Sequence, residues 1–321
     1  MTVSRAMRDQ PDVSGAARDL VLECAEELDY RPNRWARSLV SNKTFVVGII
    51  LPDIAHSYFS QITLGVEEIL EKAGYDLFLC HSRGKHEREQ REIDTLLGCR
   101  VDGLIVASTE DFRSAEPLEK LSRQAVPFVL IDRVFENLEA RSVCVDDYEV
   151  GRLAALHLLN LGHRKLGYIS EPRISPGIVR ARGFFDAVRA ANVEPPREET
   201  MTGSETVARG ELAMLRLCSP DDRPTGVAAF NDRAALGAVA ACRDKGIVVP
   251  EQISVVGAGA IEVEGHPDPY LTTIGWPRVE LGRMAARALL SAIEPGANGE
   301  ERVQVLQPEL LARRSTAPPP V

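Results

Sequence analysis

Along most of the chain, short continuous apolar runs alternate with stretches in which apolar residues recur every three to four positions. The runs at 45–51, 75–80, 101–107, 127–131, 165–170, 225–230 and 254–258 read as strands buried on both faces, and 142–145 as an edge strand. Helical periodicity covers 60–73, 87–97, 116–124, 148–161, 177–191, 206–217, 232–245 and 279–293. Gly74, Gly162 and Gly246 follow three of these stretches and are expected as C-terminal caps, where a left-handed backbone needs no Cβ. Strand and helix alternate as in parallel sheets flanked by helices, and there are more strands than one ordinary sheet uses. The predicted fold class is therefore α/β with two doubly wound parallel-sheet lobes.

In open parallel sheets, ligands bind beyond the carboxyl ends of the strands. The polar residues at those ends are Asp53 and the segment His56-Ser57-Tyr58-Phe59, then Asp132-Arg133, Asp146-Asp147 and Asn231-Asp232. Two facing lobes would bring them to one cleft. One aspartate after a strand more often caps a helix or pairs within a loop, and Tyr58 and Phe59 would by default pack the start of the following helix. Enzyme signatures fail. Gly257-Ala258-Gly259 begins like a dinucleotide loop, but Glu262 stands where the third glycine is needed. There is no phosphate-binding G-x-x-x-x-G-K-[ST], no G-x-S-x-G elbow and no cysteine coupled by sequence to a histidine base. A binding protein is favoured over a catalyst, and no cofactor is expected.

Composition changes the picture in one region. The 321 residues carry 38 Lys plus Arg against 47 Asp plus Glu, a net charge of −9, and 44% are apolar, which suits about two domains with their own cores. No apolar run approaches the roughly 20 residues of a membrane span, and the start lacks the apolar core of a secretory signal, so a cytosolic protein is expected. The six cysteines form no C-x-x-C pair and read as buried, reduced thiols, and the six histidines form no metal-ligand pair. Residues 1–44 hold seven basic and seven acidic side chains, and within 30–44 there are four positive charges and no acid. A basic segment on an acidic body points to a nucleic-acid contact made by that segment, although such a run is more often a solvated helix face.

Thr2-Val3-Ser4-Arg5, Val13-Ser14 and Leu28-Asp29-Tyr30-Arg31-Pro32-Asn33-Arg34-Trp35-Ala36-Arg37-Ser38-Leu39 resemble the second half of the DNA-binding headpiece, and the hinge, of the lac repressor (LacI/GalR) family of transcription regulators. The similarity continues through Val47-Gly48, Pro52-Asp53, Val101-Asp102-Gly103-Leu104-Ile105, Ile131-Asp132-Arg133, Leu161-Gly162-His163 and Arg180-x-x-Gly183-Phe184. It reaches Phe230-Asn231-Asp232, Ala235-x-Gly237, Val249-Pro250, Ile253-Ser254-Val255-Val256-Gly257, Leu271-Thr272-Thr273-Ile274 and Arg314-Ser315-Thr316, so nearly the whole chain is covered.

The resemblance implies a partial all-α helix-turn-helix headpiece (1–31), a hinge helix and linker (32–44) and a periplasmic-binding-protein-like effector domain (45–321). Its first lobe would take 45–145 and 276–305, and its second 146–275 and 306–321. It also implies a homodimer or higher homo-oligomer, with Thr2, Ser4, Arg5, Asn33, Arg34, Arg37 and Leu39 as DNA-binding residues. Paired hinge helices would enter the minor groove of operator DNA, with Leu39 as the wedge that kinks the duplex and Arg34, Arg37 and Lys43 near phosphates. Without the surrounding match, Leu39 would pack on Trp35.

The implied effector site is the interlobe cleft, with Tyr58, Phe59, Asp132, Asp146, Arg180, Asn231 and Trp276 as binding residues and a sugar, sugar acid or other small metabolite as ligand. Two departures stand out. By this resemblance the chain begins inside the recognition helix, with roughly fifteen to eighteen headpiece residues missing. The expectation is a true start upstream, since a hinge would have no use in a pure effector-binding module; the alternative is a DNA-inactive ligand-binding protein of the same fold. The second departure is Ala258-Gly259-Ala260, where the family usually carries an aromatic residue and a ligand-binding aspartate. Arg180, matching the family's ligand-contacting arginine, then suits hydroxyls or an anionic effector.

Overall fold

The computed structural model describes residues 6, 13–28, 30, 43–109, 115–135, 137–201, 206–219, 223–261, 270–294 and 302–320. The chain divides into two compact units, Met1–Thr44 and Phe45–Val321. In the first, helix α1 (Gly15–Glu27) starts after an extended Ser14 whose side chain makes no cap bond, and Leu20 and Leu28 are exposed. The expected DNA-binding residues Thr2, Ser4, Arg5, Asn33, Arg34, Arg37 and Leu39 all lie outside the described residues, as does the expected hinge helix.

The second unit holds two six-stranded sheets. The first sheet contains β1 (Val46–Leu51), β2 (Asp76–His81), β3 (Gly103–Val106), β4 (Phe128–Ile131), β5 (Arg141–Val145) and β11 (Val303–Leu306). They run parallel in the order β11-β5-β4-β3-β1-β2. Packed on it are α2 (Ser57–Lys72), α3 (His86–Gly98), α4 (Glu116–Arg123) and α9 (Arg278–Ile293). The second sheet contains β6 (Leu166–Ser170), β7 (Arg197–Thr200), β8 (Gly226–Ala229), β9 (Ser254–Ala258), β10 (Thr272–Gly275) and β12 (Glu309–Leu311), in the order β12-β10-β9-β8-β6-β7. Only β12 is antiparallel to its neighbour. Its helices are α5 (Asp147–Asn160), α6 (Ser175–Ala190), α7 (Thr206–Leu217) and α8 (Asp232–Asp244).

The chain passes between the sheets three times: after β5, after β10, and between β11 and β12. One apolar cluster runs through both lobes, from Val47, Val129 and Val143 to Tyr168, Phe184 and Val256. Gly74, Gly162 and Gly246 have φ of 76°, 99° and 68°, as expected of left-handed caps.

Three expectations need correction. β2 is not buried on both faces: it is the outer strand, and Phe78 and Leu79 are exposed. β5 is not an edge, because β11 pairs with it from Val303 to Leu306. The cysteines are free, but Cys24 is exposed and only Cys144 and Cys242 are buried. Among the described residues, no helix is long and apolar enough to cross a membrane.

Candidate functional site

Each sheet has a point where successive strands depart to opposite sides, at β1 in the first and β6 in the second, and crevices form beyond the carboxyl ends there. After β1 the chain reaches His56, whose Nδ1 accepts the Tyr58 backbone N–H at 3.2 Å and starts α2. That bond requires a neutral imidazole, and burial, reinforced by Arg233, lowers the His56 pKa to about 4. Tyr58 then points inward: its hydroxyl donates to Asp132 Oδ1, and its ring meets Phe59 and Trp276 edge-on at 5.1 and 5.9 Å. Burial first, and the Asp132 charge next, push the phenol well above its ordinary value. Asp132 ends β4 with φ of 69°, a left-handed conformation uncommon for a residue with a Cβ.

From the second lobe, Arg180 on α6 is 5% exposed. Its Nε donates to Asp147 Oδ1 at 2.7 Å and its Nη1 to the Phe230 carbonyl at 3.0 Å. The guanidinium lies 5.1 Å from the Phe230 ring centre and 5.2 Å from that of Trp276. Burial raises the Asp147 pKa, and Arg180 opposes it; burial also works against the Arg180 charge, but Asp147 and Asp132 overcome that and hold it protonated. α5 and α6 come close enough for this pair through two glycines. A Cβ on Gly151 would sit 1.8 Å from the Arg180 carbonyl oxygen, and one on Gly183 2.0 Å from that of Tyr148.

At the start of α8, Asn231 Oδ1 caps the helix by accepting the Ala234 N–H at 2.9 Å. The next residue, Asp232, is 1% exposed. Thr273 Oγ1 donates to its Oδ1 at 2.6 Å and the Ile261 N–H to its Oδ2 at 2.8 Å. Gly257 makes the room, since a Cβ there would meet Asp232 Oδ1 at 2.2 Å. The string that began like a dinucleotide loop thus seats a carboxylate.

Burial raises the Asp232 pKa to about 6 from 3.8. Between about pH 4 and 6 the folded chain keeps a proton that the unfolded chain has released, so this group's contribution to stability falls as pH rises through that window. The stability of the wild type relative to Asp232→Asn, measured by urea unfolding, is expected to decline from pH 4 to 6 and level off above; a flat difference would show that Asp232 titrates normally.

These ends enclose a cavity of about 540 Å³. Six of the seven expected effector residues line it: Tyr58, Phe59, Asp132, Arg180, Asn231 and Trp276. The seventh, Asp146, does not. Its Oδ1 accepts the Glu149 N–H at 3.0 Å as the cap of α5, and the next residue, Asp147, carries the interaction with Arg180. Arg133, placed at the cleft by the sequence but not counted among the binding residues, lines it too; sequence reasoning missed Glu171 and Arg173, along with the two contacts that join the lobes across the opening. Arg233 Nη1 donates to Asp53 Oδ2 at 3.3 Å, and the Val134 N–H donates to Ser175 Oγ at 3.1 Å. The Asp132-Arg133 string directly after a strand was the available signal for Arg133.

Residues 1–33 match bacterial regulatory proteins of the lacI family, and residues 155–316 match a periplasmic binding protein-like domain. Over 315 residues the chain is 34% identical to the HTH-type transcriptional repressor PurR of Mannheimia succiniciproducens, spanning 98% of this chain and 94% of that protein. Among solved structures it is similar to the lac repressor dimer bound to operator and the anti-inducer ONPF, with a TM-score of 0.84, 25% identity and coverage of 98% and 94%. It is also similar to a complex of the transcriptional regulator CelR with cellobiose, with a TM-score of 0.75, 28% identity and coverage of 97% and 94%.

Proposed function

Since this chain belongs to the lacI family of bacterial transcription regulators, we propose that it acts in the cytoplasm as a homodimer on operator DNA, under the control of a small molecule seated between its two lobes. The observation that carries this reading is the joining, on one chain, of a lacI-type segment at residues 1–33 to a cleft of about 540 Å³ lined from both lobes. The family is one of regulators rather than enzymes. Residues 1–31 would serve as headpiece, 32–44 as hinge and 45–321 as effector domain.

In this reading Tyr58, Phe59, Phe230 and Trp276 supply apolar walls, and Asp132, Arg180 and Asn231 orient the ligand. Control requires a conformational difference. The lobes meet through the Asp53–Arg233 and Val134–Ser175 contacts, and a ligand shifts DNA binding only by its different affinity for the joined and parted arrangements. Leu39 would wedge into the minor groove, so Leu39→Ala is expected to weaken operator binding by about tenfold or more. Effector affinity should not change. The measurement is fluorescence anisotropy with an operator selected from random duplexes, repeated with candidate compounds. The reading fails if no duplex is retained by the chain, or if Leu39→Ala reduces effector affinity together with DNA affinity.

A further inference from the structure

We propose that the effector carries an oxyanion, a carboxylate or a phosphate, and that Arg133 is the residue that recognises it. This rests on the cleft being the effector site. Arg180, expected to suit hydroxyls or an anionic effector, has its charge already met by Asp147. Of the other arginines lining the cavity, Arg173 makes two bonds to Glu171, at 2.9 and 2.8 Å, Arg233 pairs with Asp53, and Arg83 is exposed to solvent. Arg133 differs. It lines the cavity, and its Nε and Nη1 are enclosed without any hydrogen-bond partner.

The carboxylates near Arg133 do not fill this gap. Glu89 is fully buried, but it accepts from Ser108 Oγ at 2.5 Å and from the N–H and Oγ1 of Thr109 at 2.6 and 2.7 Å. Glu171 is bound by Arg173, and Asp132 accepts the Tyr58 hydroxyl. Their charges make the buried cation tolerable, while burial still lowers its pKa. What they do not provide is an oxygen at its N–H groups.

The third enclosed and unpartnered atom among the cavity residues is Trp276 Nε1, which lies near the Tyr58 hydroxyl without completing a hydrogen bond. Among the described residues, the fully enclosed side-chain atoms of the cavity wall that lack a partner are therefore donors alone. A ligand hydroxyl brings a hydrogen that itself needs an acceptor. Carboxylate and phosphate oxygens bring only lone pairs, and they match the planar fork of a guanidinium. The position also suits regulation. Arg133 follows β4 of the first lobe, shares the cavity wall with Glu171 and Arg173 of the second, and neighbours the Val134–Ser175 bond between lobes. An oxyanion held there would sit at the seam between the lobes, and relative motion of the lobes would open the way to it.

The test uses the full chain and matched probes: gluconate, galactonate, glucose 6-phosphate and ribose 5-phosphate, each against its neutral sugar, followed by thermal shift and titration calorimetry. At least one anionic probe should raise the melting temperature where its neutral partner does not, and the carboxylate and phosphate arms separate the two sources of charge. Arg133→Gln should weaken that probe by about tenfold to a hundredfold. Arg133→Lys, with charge but no fork, should lose less. The unliganded Arg133→Gln protein should melt no lower than wild type, because enclosed donors without partners are removed. Silence of every anionic probe, a neutral sugar binding as tightly as its acid, or unchanged anion affinity in Arg133→Gln would each overturn the proposal. If a neutral sugar binds and alters operator affinity, the cleft remains the effector site and only the oxyanion is refuted.

Discussion

Arg180→Met is expected to lower the free energy of unfolding by about 3–5 kcal/mol and to abolish the effector response. Methionine keeps much of the side-chain volume between the rings of Phe230 and Trp276, so a cavity is not the main cost. The cost lies with Asp147, which is 8% exposed and loses the N–H donor at 2.7 Å that makes its burial tolerable. The Phe230 carbonyl loses its partner as well. If this account holds, removing the second charge recovers most of the loss: the double variant Asp147→Leu with Arg180→Met should lie within about 2 kcal/mol of wild type, since well-packed apolar residues often replace a buried pair at little cost. Urea unfolding of the four proteins gives the coupling directly. Additive losses would mean that the two side chains act independently, and the stability argument for the pair would then fail.

The fold was legible because helical periodicity and strand runs are local properties. α7 was placed at its observed limits, and most other elements within about three residues, by pattern alone. Errors arose where pairing between distant segments decides burial. Leu77, Phe78 and Leu79 are as apolar as an inner strand, but nothing in their composition says that β2 ends its sheet. β5 looked like an edge because its neighbour, β11, is a four-residue strand from about 160 positions later, too short and too mixed in polarity to announce itself.

The cleft shows the same division. Tyr58, Asp132 and Asn231 each stand where an element starts or stops, which sequence can mark. Asp146 and Asp147 are adjacent and chemically alike, and a turn of one residue separates the helix cap from the partner of Arg180. The state of Arg133 was illegible for a different reason: an unpartnered donor is defined by the groups that its neighbours have already engaged, and those come from α3 and the loops after β3 and β6.

Gly151→Ala should cost about 3 kcal/mol or more, although alanine is the better helix former and is ordinarily preferred over glycine within a helix. The added carbon would lie 1.8 Å from the Arg180 carbonyl oxygen, and a backbone oxygen cannot move aside by changing rotamer. Either α5 and α6 separate along their length or the first turn of α5 shifts, and both displace Asp147 from Arg180. The same construction recurs at the other close helix pairs. Gly65 and Gly282 would meet the carbonyl oxygens of Val279 and Ile62 at 1.9 and 2.0 Å between α2 and α9, and Gly210 and Gly237 those of Ala234 and Val207 at 2.2 and 2.0 Å between α7 and α8. Gly98 is the control. It ends α3 with nothing within 4 Å of a Cβ, so Gly98→Ala should be neutral or stabilising by about 0.5–1 kcal/mol. Thermal and urea melts of both variants decide the matter. Equal effects would show that helix propensity governs at Gly151, whereas a large loss there alone makes backbone contact between helices the feature that sets Arg180 against Asp147.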